Sequence, residues 1–273
     1  MIWNIDPIAL QTSVISVRWY GIFLSAGMIA SYYHLRWLMT NEAQRVAFQR
    51  VVPAAFLGSL LGARLGHLAF YAPALLLESP MMLVNFSEPG LASHGAIVGG
   101  TVAIWLVTRW REDINFLWFL SRIAFSFVIF CILIRLGNFF NSELIGTPSN
   151  LPWAVQFLRV DAVFRHPVQL YESAAYLICY GFMWVIYRRG VSVKGLLGGV
   201  LAAMSVLRIS LETFKADQTR IEAEFTYTLG YLLTLPILTV GIVLLISAWL
   251  DTREPATKLN KNKNKNKNKG ESH

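Results

Sequence analysis

Arg135 is followed by Asn138 and Glu143 where a long apolar run gives way, in the stretch Ile134-Arg-Leu-Gly-Asn-Phe-Phe-Asn-Ser-Glu-Leu-Ile-Gly146. Polar and ionised groups at the edge of a bilayer are costly, so they usually serve a purpose. An arginine there offers a planar fork that donates two parallel hydrogen bonds to a phosphate. Other candidates are scattered along the chain: Tyr20, Arg64, His67, His94, Arg208 and Glu212. Only histidine has an unperturbed pKa near neutral, which makes His94 the candidate general base. The chemistry such a set suits is capture of an anionic head group coupled to movement of a proton.

The elements that must carry these residues follow from composition. The chain has 273 residues, 55% of them apolar and 15% charged, with a mean hydropathy of +0.48. Soluble domains rarely hold so little charge. A bilayer crossing needs about 20 apolar residues, and seven stretches approach that length: 18–38, 51–71, 91–108, 116–134, 169–187, 195–211 and 229–250. Their Ala, Gly, Leu, Ile and Phe content points to helices rather than barrel strands. The expected fold is therefore all-α and polytopic. The N-terminus lacks a basic region and a small-residue cleavage site, so no cleavable signal peptide is expected.

Charge sets the orientation, because short Lys- and Arg-rich connections stay in the cytoplasm. Arg45 and Arg50, Arg109 and Arg111, and Arg188, Arg189 and Lys194 mark three such connections, and the tail after Arg253 is a fourth. The alternating connections, 72–90 and 212–228, are acidic or mixed. The N-terminus is therefore expected outside and the C-terminus inside. The outer connection 135–168 is long and holds Pro148, Pro152 and Pro167. It is expected to fold as a small cap, since loops of that length are commonly functional. Residues 1–254 would form the membrane domain. The Lys/Asn-rich segment 255–273 would be a disordered tail lying on anionic lipid.

With that orientation Tyr20, Arg64, His67, His94, Arg135, Arg208 and Glu212 all fall in the outer half of the membrane; Arg122 falls in the inner half. A single buried arginine can equally be a structural pair or snorkel to the headgroups. Several at one depth would form a positive pocket open to outer-leaflet lipid. Arg208 and Glu212 share a helix face and can pair; either Glu212 orients Arg208, or the pair neutralises itself so that the helix can insert. His166 reads as structural, and Glu172 as either a pocket residue or a helix anchor. Gly62 and Gly66, like Gly95 and Gly99, are four apart, the spacing of closely packed helices. Cys131 and Cys179 fit neither a CxxC motif nor a metal cluster and read as buried small hydrophobes. The histidines lack a compact ligand spacing, so no metal is expected. The net charge of +8 is placed for lipid, and no segment resembles a nucleic-acid-binding fold.

These residues, in order, resemble prolipoprotein diacylglyceryl transferases over nearly the whole chain. The strongest match is Arg135-Leu-Gly-Asn-Phe-Phe-Asn-Ser-Glu143, continuing to Gly146 and Asn150-Leu-Pro-Trp153. Arg18-Trp-Tyr-Gly21, Gly62-Ala-Arg-Leu-Gly66, Ser93-His-Gly95, the His166-to-Glu172 segment and Arg208-x-x-x-Glu212 support it. The resemblance implies a seven-helix enzyme of the bacterial inner membrane with a periplasmic cap between helices four and five. It implies transfer of the diacylglyceryl group of phosphatidylglycerol to the lipobox cysteine of preprolipoproteins, with no cofactor. Arg135, Arg208 and His94 would be catalytic. Tyr20, Arg64, Asn138, Glu143, Gly146 and Glu212 would bind substrate. Two positions depart from the family pattern: Met204 stands where many members have tyrosine, and Lys215 where many have arginine.

Two other classes fit the apolar composition less well. A lipid or anion transporter would show a polar path, which only Arg122 favours, and commonly an internal repeat. An intramembrane protease would need a serine element or paired aspartates, neither of which is present.

Overall fold

The computed structural model describes residues 1–85, 90–111, 114–216 and 229–270. The chain is mostly helical. It divides into two compact units, Ile29–Ser126 and Met1–Met28 with Phe127–His273. Each of the seven apolar stretches lies in a helix. These are α1 (Trp19–Trp37), α2 (Glu42–Tyr71), α4 (Ser93–Thr108), α5 (Phe116–Phe140), α6 (Val168–Arg188), α7 (Val193–Glu212) and α8 (Leu229–Gly270); α3 is the short Pro73–Glu78. Among the described residues, Glu42–Phe70, Phe116–Phe140, Val193–Glu212 and Thr234–Arg253 are long and apolar enough to cross a membrane. Large apolar side chains remain exposed on several helices, such as Ile178 at 74% and Phe182 at 61%. Exposed apolar surface on that scale suits lipid contact. Glu88, Asp217, Arg220, Glu222 and Glu224, which bear on the charge alternation, lie outside the described residues.

In the unit Ile29–Ser126, α2 and α4 cross with their backbones touching. A Cβ on Gly62 would sit 2.3 Å from the Gly95 carbonyl oxygen, and one on Gly99 would sit 2.2 Å from that of Gly58. No side chain fits in such a gap, so the four-residue glycine spacing marks a helix contact. Asn41 caps α2 by accepting from the Gln44 amide at 2.9 Å.

In the other unit, α7 packs on α8 through Gly198 and Gly241, where a Cβ on Gly198 would sit 2.8 Å from the Gly241 carbonyl oxygen. The turn between α6 and α7 uses Gly190 at φ +78°, a conformation glycine adopts without steric cost. Ser192 then caps α7 by accepting from the Gly195 amide.

Two sequence expectations need correction. The chain is not purely α-helical. Strands β1 (Ile2–Trp3), β4 (Val155–Phe157) and β5 (Phe164–Arg165) form a sheet in the order β1-β4-β5, and β2 (Ile8–Gln11) pairs with β3 (Ser16–Arg18) as a hairpin. The segment after α5 is thus completed by the first residues of the chain, with Trp3, Phe139, Val155 and Phe157 as its core. Second, α5 continues to Phe140, so Arg135 and Asn138 are helical rather than the start of a loop. Leu136, Phe139 and Phe140 keep an apolar face available, and adding a turn to a formed helix is far easier than nucleating one. The backbone of α8 is helical to Gly270.

Candidate functional site

Because α5 runs past Arg135, Arg135 and Asn138 lie three residues apart on one helix face. Arg135 Nη1 donates to Asn138 Oδ1 at 3.2 Å. Asn138 Nδ2 donates to Glu143 Oε2 at 3.4 Å, and Asn141 donates to the other oxygen of Glu143. The chain must double back to bring Glu143 there. Ser142 and Leu144 make that turn at φ 55° and 54°, a region non-glycine residues seldom enter and one that concentrates at functional sites. Gln169, which is buried, donates to the Glu143 carbonyl at 2.6 Å and holds the turn against α6.

Gly146 is the tightest point. A Cβ there would lie 2.4 Å from the His166 carbonyl oxygen and 2.7 Å from Val168 Cγ2. The same strip bridges to the segment after α7. Gly146 forms a β-bridge with Lys215, Thr147 N–H donates to the Phe214 carbonyl, and Ala216 N–H donates to that of Ile145. On its other side Arg165 donates to the Gly146 carbonyl at 3.1 Å while gripping Asp161. The Arg165 guanidinium beside Asp161, helped by the Val163 amide, holds that carboxyl below the usual carboxylate range.

Behind the loop lies an ionic cluster. Glu172 of α6, with 1% of its side chain exposed, forms ion pairs with Arg135, Nε to Oε2 at 2.9 Å, and with Lys215, Nζ to Oε1 at 2.9 Å. Lys215 also reaches Glu212 Oε2 at 3.0 Å. Arg135 also lies within electrostatic range of Tyr176. Glu212 therefore pairs with Lys215 and not with Arg208. Among the described residues, Arg208 makes no hydrogen bond or ion pair. Its charge nevertheless acts on Cys131 and Tyr176, and so does that of Arg135. Both guanidinium charges, from α5 and α7, are thus within electrostatic range of the same two side chains. Tyr20 lies within electrostatic range of Glu143 and Arg135, and α1 approaches α5 where a Cβ on Gly137 would meet Phe23 Cβ at 3.1 Å.

The structure thus gathers Tyr20, Arg135, Asn138, Glu143, Gly146, Arg208 and Glu212 in one unit. Arg64 and His94 belong to the other. There the Arg64 side chain is buried, its Nε donating to the Met82 carbonyl at 3.0 Å and its Nη1 to that of Gly90 at 3.2 Å. Its guanidinium secures the connection after α2. His94 opens α4. Arg122, the feature that favoured a transport path, donates to Ser121 Oγ and lies over the Trp118 ring. His166 contacts Tyr171 Oη at 3.3 Å and packs on Phe214.

Sequence reasoning left Glu172 open and did not single out Gln169 or Tyr176. A signal was available. Gln169, Glu172, Ser173 and Tyr176 are spaced i, i+3, i+4 and i+7 on an apolar helix, and all four are buried. A polar stripe of helical period marks a face turned away from lipid.

The fold is that of a multi-pass helical membrane protein in which α5, α6 and the end of α7 bring ionic side chains together. Residues 7–247 match the family described as prolipoprotein diacylglyceryl transferase. A phosphatidylglycerol–prolipoprotein diacylglyceryl transferase of Tolumonas auensis is 36% identical over 90% of this chain and 96% of its own. Proteins of the same description from Chloroherpeton thalassium and Porphyromonas gingivalis are 34% identical over 89% of this chain and 92% of theirs, and 32% identical over 90% and 94%. The chain belongs to the prolipoprotein diacylglyceryl transferase family.

Proposed function

We propose that this protein transfers the diacylglyceryl group of phosphatidylglycerol to the lipobox cysteine of preprolipoproteins, the first step of lipoprotein maturation. It would do so as a seven-helix enzyme of the bacterial inner membrane, with the segment after α5 as a periplasmic cap and the C-terminus in the cytoplasm. The observation that carries the reading is the cluster that Arg135, Asn138, Glu143 and Glu172 build at the end of α5, with Arg208 within electrostatic range of the same side chains and unpaired among the described residues. An unpaired guanidinium beside a paired one suits a lipid phosphate.

The cysteine sulfur attacks the glycerol carbon that bears the phosphate ester. A carbon–sulfur bond forms, the carbon–oxygen bond breaks, and glycerol 1-phosphate leaves with the bond electrons. Two groups need help. An unperturbed thiol with a pKa of about 8.5 is mostly protonated at neutral pH, and the leaving oxygen gains charge that fixed donors must meet. Arg135 and Arg208 hold the phosphate and stabilise the departing charge. Asn138 and Glu143 orient Arg135 and receive the glycerol hydroxyls, and Tyr20 adds a donor. Glu212 acts from the edge of the cluster, and Gly146 gives the signature loop its close approach. His94 accepts the thiol proton, an assignment that rests on its chemistry. Arg64 acts on substrate through the connection it secures. No metal or cofactor takes part.

Radiolabelled phosphatidylglycerol and a lipobox peptide test this directly. Label should become covalently attached to the peptide cysteine, and a cysteine-free peptide should take none. Arg135→Ala should abolish labelling and fail to complement a depletion strain. His94→Gln should slow transfer and flatten its rise with pH; an unaltered profile would remove His94 from the chemistry.

A further inference from the structure

Arg208 and Glu212 are four residues apart on α7, the spacing at which opposite charges pair on a helix. They do not pair. Glu212, 8% exposed, gives Oε2 to Lys215 at 3.0 Å. Lys215, 10% exposed, also serves Oε1 of Glu172 at 2.9 Å. An ammonium is a compact point charge, so one amine neutralises two carboxylates that approach it from α6 and α7, hydrogen-bonding to Glu212 and ion-pairing with Glu172. The backbone holds it there. Lys215 bridges to Gly146, and its neighbours Phe214 and Ala216 hydrogen-bond to Thr147 and Ile145.

We propose that Lys215 is a positioning residue that keeps Arg208 available to the lipid phosphate by occupying Glu212. The inference rests on the reading of Arg208 as a phosphate ligand. Without the amine, Glu212 loses its cation in a desolvated site. The nearest uncompensated cation on its own helix face is Arg208. An internal ion pair would then compete with phosphatidylglycerol for the guanidinium. Lysine or arginine at this position would each supply the neutralising charge. The fork matters less here because the two carboxylates come from different helices.

The test uses the full-length protein in micelles that contain phosphatidylglycerol, with a lipobox peptide as acceptor. Lys215→Gln should raise KM for phosphatidylglycerol about tenfold, the cost of setting one charged hydrogen bond against the ligand, while kcat falls less. Lys215→Arg should restore KM. Adding Glu212→Gln to Lys215→Gln should recover most of the lost affinity, because the competitor is gone; adding Glu172→Gln should not. Phenylglyoxal modification of Arg208, read by mass spectrometry below each variant's melting temperature, reports the pairing without recourse to activity. It should slow in Lys215→Gln and recover in Lys215→Gln/Glu212→Gln. Unchanged KM and unchanged modification in Lys215→Gln overturn the proposal, as does rescue by Glu172→Gln in place of Glu212→Gln. The reading beneath it fails separately: Arg208→Gln with unaltered KM for phosphatidylglycerol removes the phosphate role itself.

Discussion

A carboxylate with 1% of its side chain exposed keeps its charge only where cations compensate it. Glu172 has two, Arg135 and Lys215, each 2.9 Å away. Glu172→Gln would leave both cations short of a partner inside the cluster. Breaking one side of a buried ion pair costs on the order of 3 kcal/mol or more, so the variant should melt several degrees lower and lose most of its transfer rate. Glu172→Asp should fall between, because the shorter side chain cannot span both cations. Thermal unfolding in detergent and a transfer assay measure the two effects. A variant as stable and active as the parent would deny Glu172 its place in the cluster. At this scale the sequence was most legible for the signature residues, since Arg135, Asn138 and Glu143 stand out by type against an apolar background. It was least legible for who pairs with whom. Helical spacing offered Glu212 to Arg208, but Lys215 and Glu172 compete for the same carboxylates from beyond the end of α7 and from α6. No local pattern announces a competitor on another element.

The helices were readable because each is an apolar run of the right length, and the α2–α4 contact was readable because glycines recur at four-residue spacing. That contact leaves no room for a side chain. A Cβ on Gly62 would sit 2.3 Å from the Gly95 carbonyl oxygen and 2.8 Å from the Gly99 Cα. Both neighbours are backbone, which cannot rotate away. Gly62→Leu should force α2 and α4 apart and lower the melting temperature more than the same change at Gly181, whose Cβ would meet nothing within 4 Å. Equal stability of the two variants would mean that the glycines do not set the packing. The strands were the elements least open to sequence reading. Ile2 pairs in parallel with Gln156 across most of the chain length, and two- or three-residue strands are too short for alternation to register. Only the folded core of Trp3, Phe139 and Phe157, with ring centroids 4.3 and 5.7 Å apart, reveals why the first residues belong beside the segment after α5.

For the whole molecule, the placement of the guanidinium cluster relative to the two faces of the membrane decides which leaflet supplies the lipid. The basic connections at Arg45 and Arg50, Arg109 and Arg111, and Arg188 and Arg189 alternate with 72–90, which has no Lys or Arg, and with 212–228, where acidic residues outnumber basic ones. Positive loops resist translocation, so on the proposed topology this alternation would orient every helix at once, and reversing one would conflict with its neighbours. Asn150 is exposed in the segment after α5, on the side where Arg135 ends its apolar run, whereas Ala256 follows Arg253 at the far end of the chain. With Cys131 and Cys179 replaced by alanine, a single cysteine at position 150 should react with a membrane-impermeant maleimide in spheroplasts. A single cysteine at position 256 should react only after the membrane is permeabilised. The preprolipoprotein cysteine and outer-leaflet phosphatidylglycerol would then meet Arg135 and Arg208 from the side on which the cap stands. The opposite labelling pattern would turn the cluster toward the cytoplasm and separate it from that lipid pool, whatever the geometry of its ion pairs.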